Sequence, residues 1–224
     1  MLKKYDNKVR EIEQMIVGLM NSIVDGNEHA LAGYRKGDAA EYEKARAVLK
    51  SLEADADTID NEIIRTFALF GPEAQELRTL VTYLKMNNEL VRIGIGTRKY
   101  ARRIAEHARS ECDLAPFDNV IVQLHKSAIS AMKYIRECFI DLDGCDVEEN
   151  YRKVMVEESK NDDLFSILEK DIMTSIISES ELSVEYVKVL GTLRKLERIG
   201  DRAVNIANLM VYAKKGGHMV AYST

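Results

Sequence analysis

The stretch Leu196-Glu-Arg-Ile-Gly-Asp-Arg-Ala-Val-Asn-Ile-Ala207 places apolar residues at alternating spacings of three and four. This spacing puts them on one face of an α-helix, where they can pack into a helical core. The same stripe occurs 106 residues earlier, where Arg92-Ile-Gly94 matches Arg198-Ile-Gly200. The matched stripes are Leu90, Ile93, Thr97, Tyr100 and Ile104 against Leu196, Ile199, Ala203, Ile206 and Met210. The chain is therefore predicted to be an internal duplication of a helical unit.

The composition favours long, uninterrupted helices. The chain has two prolines and no tryptophan in 224 residues, whereas average usage would give roughly eleven prolines. Both prolines, Pro72 and Pro116, stand beside other turn signals. The hydrophobic fraction of 46% and the charged fraction of 31% are typical of a folded protein. These values exclude intrinsically disordered, collagen-like and low-complexity chains.

A helical period nearly everywhere, with almost no sustained alternation, predicts an all-α fold with six long helices. Helices of about 30 residues are ~45 Å long and need partners of similar length. The fold is therefore expected to be two tandem, pseudo-symmetric three-helix bundles, residues 1–112 and 117–217, followed by a tail at 218–224. The predicted helices run from Lys3 to Lys36, from an Asp38 cap to Leu69, from Glu73 to Ser110, from Asn119 to Leu142, from an Asp146 cap to Ile177, and from a capping box at Ser178-Glu-Ser-Glu181 to Gly216-Gly217.

Two glycines recur at the same place in both copies. Gly94 and Gly200 lie inside predicted helices, where each costs about 1 kcal/mol relative to alanine. Their recurrence predicts that a neighbouring helix approaches closely at both positions.

Several classes of protein are excluded by charge and hydropathy. No stretch of about 20 apolar residues is present, so no membrane-spanning helix is predicted. Charged residues from Asp6 to Glu11 interrupt the region where a signal peptide would be apolar, and we therefore expect a cytoplasmic protein. The net charge of −5 argues against nucleic acid as the main partner. The three cysteines, Cys112, Cys138 and Cys145, fit neither a disulfide framework nor a thiolate zinc site, and we expect them to be reduced and inert.

An oxygen-rich row lies beside the core stripe of the last helix. Glu197, Asp201 and Asn205 are four residues apart and share one helix face. Carboxylate and amide oxygens at this spacing suit hard cations, whereas the four histidines show no Glu-x-x-His spacing of the kind used in di-iron bundles. The alternative is a solvated helix flank that forms ion pairs with Lys195, Arg198 or Arg202.

The stretch from Leu196 to Ala207 resembles the signature of the PhoU family of phosphate-uptake regulators. Gly71-Pro-Glu-Ala-Gln-Glu-Leu-Arg78 is similar to the turn by which that family enters its third helix, and the six-helix layout and internal repeat also agree. The resemblance covers essentially the whole chain. It implies two three-helix bundles with an acid-x-x-x-Asp motif in the last helix of each.

The resemblance also implies a multinuclear metal cluster held by carboxylates, with iron, zinc, manganese or magnesium as candidates. Glu197 and Asp201 would supply two ligands. The second helix of each bundle in the family usually carries acids at four-residue spacing, which implies Glu158 and Asp162 as the opposing pair. Glu157 and Asp163 obscure this register, so a solvated interpretation of the second pair stays open.

The first copy lacks half of the expected site. Its second helix carries Glu53, Asp57 and Asp60, but Val91 and Ile95 stand where Glu197 and Asp201 stand in the second copy. A first-bundle metal site is predicted to be absent or much weaker. The two apolar residues would either widen the local core or form a patch that a second subunit covers.

The resemblance implies a non-enzymatic regulator of phosphate uptake and phosphate-starvation signalling. Such a protein would be an adaptor between the ATPase of a phosphate ABC transporter and a sensor histidine kinase, would reach the membrane only through partners, and could be a homodimer. A metal-dependent phosphohydrolase and a metal-free helical interaction module are the alternatives. The basic residues Arg98, Lys99, Arg102 and Arg103 are interpreted as a solvated face, although they could dock an acidic partner or phosphate.

Overall fold

The computed structural model describes residues 2–110 and 112–216. Over these residues it contains seven α-helices and no strand, which confirms the all-α prediction. No helix in this part of the chain is long and apolar enough to cross a bilayer. The helices are α1 (Leu2–Lys36), α2 (Ala39–Val48), α3 (Leu52–Phe70), α4 (Ala74–His107), α5 (Asp118–Ile140), α6 (Val147–Ser178) and α7 (Ser183–Lys215).

Most predicted helix ends are where the local sequence places them. Asp38 accepts a hydrogen bond from the Ala40 amide, and Asp146 accepts from the amides of Glu148 and Glu149. Gly37 and Gly71 have φ values of 65° and 54°, in the left-handed region that glycine adopts without a steric penalty. Pro116 lies in a short 3₁₀ turn before α5. The predicted tail at 218–224 and Gly217 lie outside the described residues.

Two predicted boundaries were wrong. The second predicted helix is split into α2 and α3 by a turn over residues 49–51. Because this break frees the Leu49 carbonyl from the helix ladder, it can accept a hydrogen bond from Arg98 at 3.2 Å. The capping box at 178–181 also does not form: α7 begins at Ser183 after a 3₁₀ turn, and no side chain caps it.

The cysteine prediction was wrong for two of the three residues. Cys138 and Cys145 form a disulfide, with their Cα atoms 5.3 Å apart. The chain reverses direction just after α5 ends at Ile140, and this brings Cys145 back beside the last turn of that helix. Counting an odd number of cysteines cannot reveal such a local pair. Cys112 is a free, buried thiol.

The helices form two groups, α1 to α4 and α5 to α7, which share one core. The α2–α3 pair packs on α1 and α4, while α6 packs on α5 and α7. The groups meet where α1 contacts α5 and α4 contacts α7, and buried apolar residues from both groups form one continuous cluster. The rings of Tyr83 and Phe139, for example, meet across this junction at 5.5 Å between centroids. The domain limits 1–112 and 117–217 stay a prediction.

Helices α4 and α7 run antiparallel along the junction. The Gln75 side chain at the start of α4 donates to the Ala213 carbonyl near the end of α7, while His107 at the end of α4 contacts Thr192 early in α7. Since the two helices are also copies of one repeat, an approximate two-fold axis relates them. The matched Gly94 and Gly200 lie near the midpoint of this contact.

The two glycines predict opposite effects on stability. A Cβ added at Gly94 would lie 2.5 Å from the Leu52 side chain, which is buried, whereas one at Gly200 would lie 3.5 Å from Asn161 in ordinary contact. Gly94→Ala is expected to lower the free energy of unfolding by roughly 1 kcal/mol, because overpacking exceeds the gain in helix propensity. Gly200→Ala is expected to raise it by up to about 1 kcal/mol. Urea unfolding of the two variants tests this difference, and equal effects would contradict it.

Candidate metal centre

The acidic residues of interest lie where α6 and α7 cross. The two helices are antiparallel neighbours joined by a short turn, and Gly200 of α7 lies against Asn161 of α6. The Asn161 side chain is buried and donates to the Leu124 carbonyl at 3.1 Å, which ties α6 to α5 at this level. Asp162 and Asp201 directly follow the two residues in contact. The crossing point therefore brings the acids of both helices to the same level.

Three carboxylates converge at this crossing. Glu158, Asp162 and Asp201 each offer an oxygen, and these oxygens all lie within 4.8 Å of one another. Oxygen ligands bind hard cations at about 2.0–2.6 Å, so two ligands on opposite sides of an ion are roughly 4–5 Å apart. The three residues, called the acidic cluster below, therefore fit around one cation without rearrangement of the backbone.

Glu197 lies at the edge of the acidic cluster. One of its carboxylate oxygens, Oε2, is buried and has no hydrogen-bond partner among the described residues. The pKa of Glu197 is raised to about 7, mainly by burial and also by the neighbouring charges of Asp201 and Asp162. A buried carboxylate oxygen without a partner is costly, and a bound cation or proton would remove that cost.

The same causes act on the acidic cluster itself. Burial is the main reason that the pKa values of Glu158, Asp162 and Asp201 are raised. Repulsion from Asp162 adds to the rise for Glu158 and for Asp201, while Asp163 adds to the rise for Asp162. All of these acids thus pay an electrostatic cost when ionised together, and a cation would relieve it.

Ion pairing does not account for these acids. None of the four forms a salt bridge within the described part of the chain. Of the nearby cations, Arg194 binds Glu169 at 2.9 Å and Arg202 binds Glu89 at 2.6 Å. Two of the three arginines that lower the pKa of Glu197 or Asp201 are thus held by other carboxylates, while the third, Arg198, lowers the pKa of both acids without forming an ion pair among the described residues. That these acids bind a metal stays a prediction.

The acids of α6 point in different directions. Glu157 is turned toward α5, where it accepts a hydrogen bond from the Ser127 hydroxyl at 2.8 Å. Asp163 is exposed and is not part of the acidic cluster. Asn205, the fifth residue predicted as a ligand, is exposed one turn beyond Asp201 and is not part of the cluster either. Its role as a ligand stays a prediction.

Comparison with known proteins gives the family. The sequence matches the PhoU domain twice, over residues 10–108 and over residues 121–210. The chain belongs to the PhoU family. The two matched segments are the two copies of the internal repeat, which together cover most of the sequence.

Individual relatives agree with this assignment. The phosphate-specific transport system accessory protein PhoU homolog of Xylella fastidiosa strain 9a5c is 23% identical over 219 residues, which cover 98% of this chain and 90% of the relative. The homolog from Pseudomonas aeruginosa is 25% identical over 199 residues, covering 89% of this chain and 79% of the relative. The curated relatives are named as accessory proteins rather than enzymes.

Solved structures of the PhoU family share the fold. The crystal structure of PhoU from Pseudomonas aeruginosa superposes with a TM-score of 0.87 at 20% identity, covering 95% of this chain and all of that chain. The phosphate transport system regulatory protein PhoU from Streptococcus pneumoniae gives a TM-score of 0.79 at 22% identity, covering 97% of this chain and all of the other. These likenesses establish the tandem helical bundle.

The first bundle departs from the two-site arrangement that resemblance to the PhoU family implies. Leu52 lies against Gly94 as Asn161 lies against Gly200, so Glu53 is the counterpart of Asp162. The Arg98 guanidinium binds Glu53 through both of its Nη atoms and lowers the pKa of that carboxyl group. The Arg98 side chain thus supplies a positive charge beside Glu53, the acid that stands where Asp162 stands in the second copy.

The other predicted acids of the first bundle are also dispersed. Asp60 accepts a hydrogen bond from Asn87 at 2.8 Å, and Asp57 is exposed. Val91 and Ile95 are half-buried and pack on the core. Over the described residues, no three acids of this bundle come close enough together to hold one metal ion. That the first site is absent or much weaker stays a prediction.

Proposed function

We propose that this chain is a non-enzymatic regulator of phosphate uptake and of phosphate-starvation signalling. The observation that carries the proposal is the double match to the PhoU domain across the chain. Relatives that span nearly the whole sequence are named as accessory proteins of phosphate-specific transport. The protein is an adaptor that binds the ATPase of a phosphate ABC transporter and a membrane sensor histidine kinase. It acts in the cytoplasm and reaches the membrane only through these partners.

The acidic cluster and Glu197 form the metal site of this regulator. Glu158 and Asp162 on α6 and Asp201 on α7 supply the first oxygens, and Glu197 extends the site along α7. An all-oxygen donor set favours magnesium, manganese or iron, with zinc a further candidate, and the number of acids permits a multinuclear cluster. The metal supplies positive charge that joins α6 to α7 and that can meet a phosphate or carboxylate of a partner.

A homodimer is the assembly that the family resemblance favours. The side chains of Val91 and Ile95 are half-buried rather than fully exposed, and both pack on the protein's own core. This packing supports the interpretation that Val91 and Ile95 widen the local core. A homodimer would therefore form through other surfaces. Sedimentation measurements at several protein concentrations test the oligomeric state directly.

The adaptor role predicts a specific co-purification result. The chain carrying an affinity tag, expressed in its native organism, is expected to retain the phosphate-transporter ATPase and the sensor kinase from phosphate-grown cells. A strain lacking the gene is expected to express phosphate-starvation genes in phosphate-rich medium. The tagged Asp201→Asn variant serves as the comparison, because it separates partner binding from metal binding. Retention of neither partner, with normal gene regulation in the deletion strain, would contradict the proposal.

One observation bears on the alternative of a metal-dependent phosphohydrolase. The pKa of Glu197, raised to about 7 by burial, is near the value that suits a general base at neutral pH. Assays for hydrolysis of generic phosphoesters with added Mn²⁺ or Mg²⁺ test this alternative. Turnover that is lost in Glu197→Gln would support an enzyme, whereas no turnover supports the regulator.

A further inference from the structure

A groove runs along the junction of the two bundles, on a face of α7 next to the one that carries the acidic cluster. It contains an open pocket of about 240 Å³ between α4 and α7. Apolar residues and Gly96 form its floor, and five cationic side chains line its walls. The cations, here called the junction cations, are Arg92 and Lys99 from α4 and Lys195, Arg198 and Arg202 from α7.

The positive charge of this groove is largely uncompensated. Arg202 is bound by Glu89 at 2.6 Å. The other four junction cations form no ion pair with any acid in the described ranges 2–110 and 112–216. Like charges from two bundles thus line one groove.

The repeat places these charges around the approximate two-fold axis. Arg92 and Arg198 are matched residues of the two copies, and each faces the other helix across the groove. Gly96 lines the same pocket, and a Cβ there would meet no atom within 4 Å. Unlike Gly94, this glycine has no packing contact that requires it. Its absent side chain leaves the centre of the groove open.

We propose that the junction cations bind an inorganic oligophosphate, such as pyrophosphate or tripolyphosphate. Guanidinium and ammonium groups are the side chains that recognise phosphate oxygens most strongly, arginine through paired hydrogen bonds. Four unpaired cations on two facing walls match a compact chain of several charged phosphoryl groups better than a single phosphate. The proposal concerns a separate site and does not depend on the metal or on the adaptor role.

The lining of the groove argues against two other ligands. No aromatic side chain is among its described lining residues, so a nucleotide base would have no stacking surface there. The pocket is open to solvent and holds only about 240 Å³ between the two helices, whereas an acidic protein segment needs a longer surface to bind stably. A short inorganic polyanion is the occupant that suits both the charge and the size.

Calorimetric titration of the full chain with sodium tripolyphosphate tests the proposal. The protein is first dialysed against chelator, so that metal bound at the acidic cluster does not contribute, and ionic strength is held near 0.15 M. Saturable binding with one site per chain is expected. The double variant Arg92→Gln/Lys195→Gln, which removes one cation from each wall, is expected to bind at least about tenfold more weakly.

A matched control keeps this result specific. Arg102→Gln/Lys188→Gln removes the same charge from the same two helices, but these residues pair with Glu106 and Glu185 away from the groove. The affinity of this control variant for tripolyphosphate is expected to stay within about twofold of that of the unaltered protein. Equal weakening in both double variants, no binding by the unaltered protein, or tighter binding of a hexaglutamate peptide than of tripolyphosphate would each overturn the proposal. Circular dichroism checks that every variant is folded.

Discussion

Asp201→Asn is expected to reduce the affinity of the protein for Mn²⁺ by at least about a hundredfold, because even outer-shell changes at metal sites cost 10–100-fold. Asp201 is the one member of the acidic cluster that α7 contributes, so its loss leaves two carboxylates of the cluster on α6, with Glu197 at the edge of the site. Asparagine has nearly the same shape and removes the charge. Isothermal titration of chelator-treated protein with Mn²⁺ measures the affinity, and elemental analysis of protein purified without chelator identifies the natural metal.

The control for this prediction is Asp163→Asn. Asp163 neighbours Asp162 but lies outside the acidic cluster, so the affinity of this variant for Mn²⁺ is expected to differ from that of the unaltered protein by less than about fivefold. Metal binding should also weaken as the pH falls below about 7, since a proton then competes for Glu197. Equal, near-zero metal in the unaltered protein and in Asp201→Asn would show that the acids are simply solvated.

His125→Leu is expected to remove much of the acid sensitivity of the fold. His125 is fully buried on α5, and neither ring nitrogen has a hydrogen-bond partner among the described residues. Its ring lies against Tyr100, with centroids 5.0 Å apart. Burial alone lowers the pKa of His125 from 6.5 to about 3. The imidazole therefore stays neutral in the folded chain at pH values where it is protonated in the unfolded chain.

The direction of the pH effect follows from this shift. The unfolded state binds more protons than the folded state between pH 6.5 and pH 3, so the folded state loses stability as the pH falls through that window. At pH 4.5 the loss attributable to His125 is roughly 3 kcal/mol. Urea unfolding at pH 7.5 and pH 4.5 should show that His125→Leu lacks this loss. Leucine also leaves no ring nitrogen unpaired, so the variant is expected to fold at pH 7.5.

His29→Gln provides the comparison for this measurement. His29 is partly exposed and pairs with Glu41 at 2.7 Å, so its removal changes the difference between the two pH values much less. The acids around the metal site act in the opposite direction, because their raised pKa values favour the folded state at lower pH. They are common to both proteins and cancel in the comparison. An unchanged pH difference in His125→Leu would show that the imidazole is already solvated or protonated in the folded state.

Much of the site could be predicted from α7 alone. Glu197 and Asp201 are one turn apart beside a clear core stripe, and a helix fixes the direction of such side chains within the element itself. The opposing acids were harder to predict, because α6 carries four acids in close succession: Glu157, Glu158, Asp162 and Asp163. Which pair faces α7 depends on the rotation of α6 about its own axis. The core contacts of the whole helix set that rotation, and no local pattern records it.

The sequence by itself determined the elements that depend on near neighbours: the helical period, the caps at Asp38 and Asp146, the duplication, and the loss of acids at Val91 and Ile95. Only the tertiary structure decided the Cys138–Cys145 bridge, the break before α3, and the pairing of Arg98 with Glu53. It alone also brought the junction cations into one groove. The physical reason is that spacing along a helix fixes which side chains share a face, whereas packing between helices decides which faces meet.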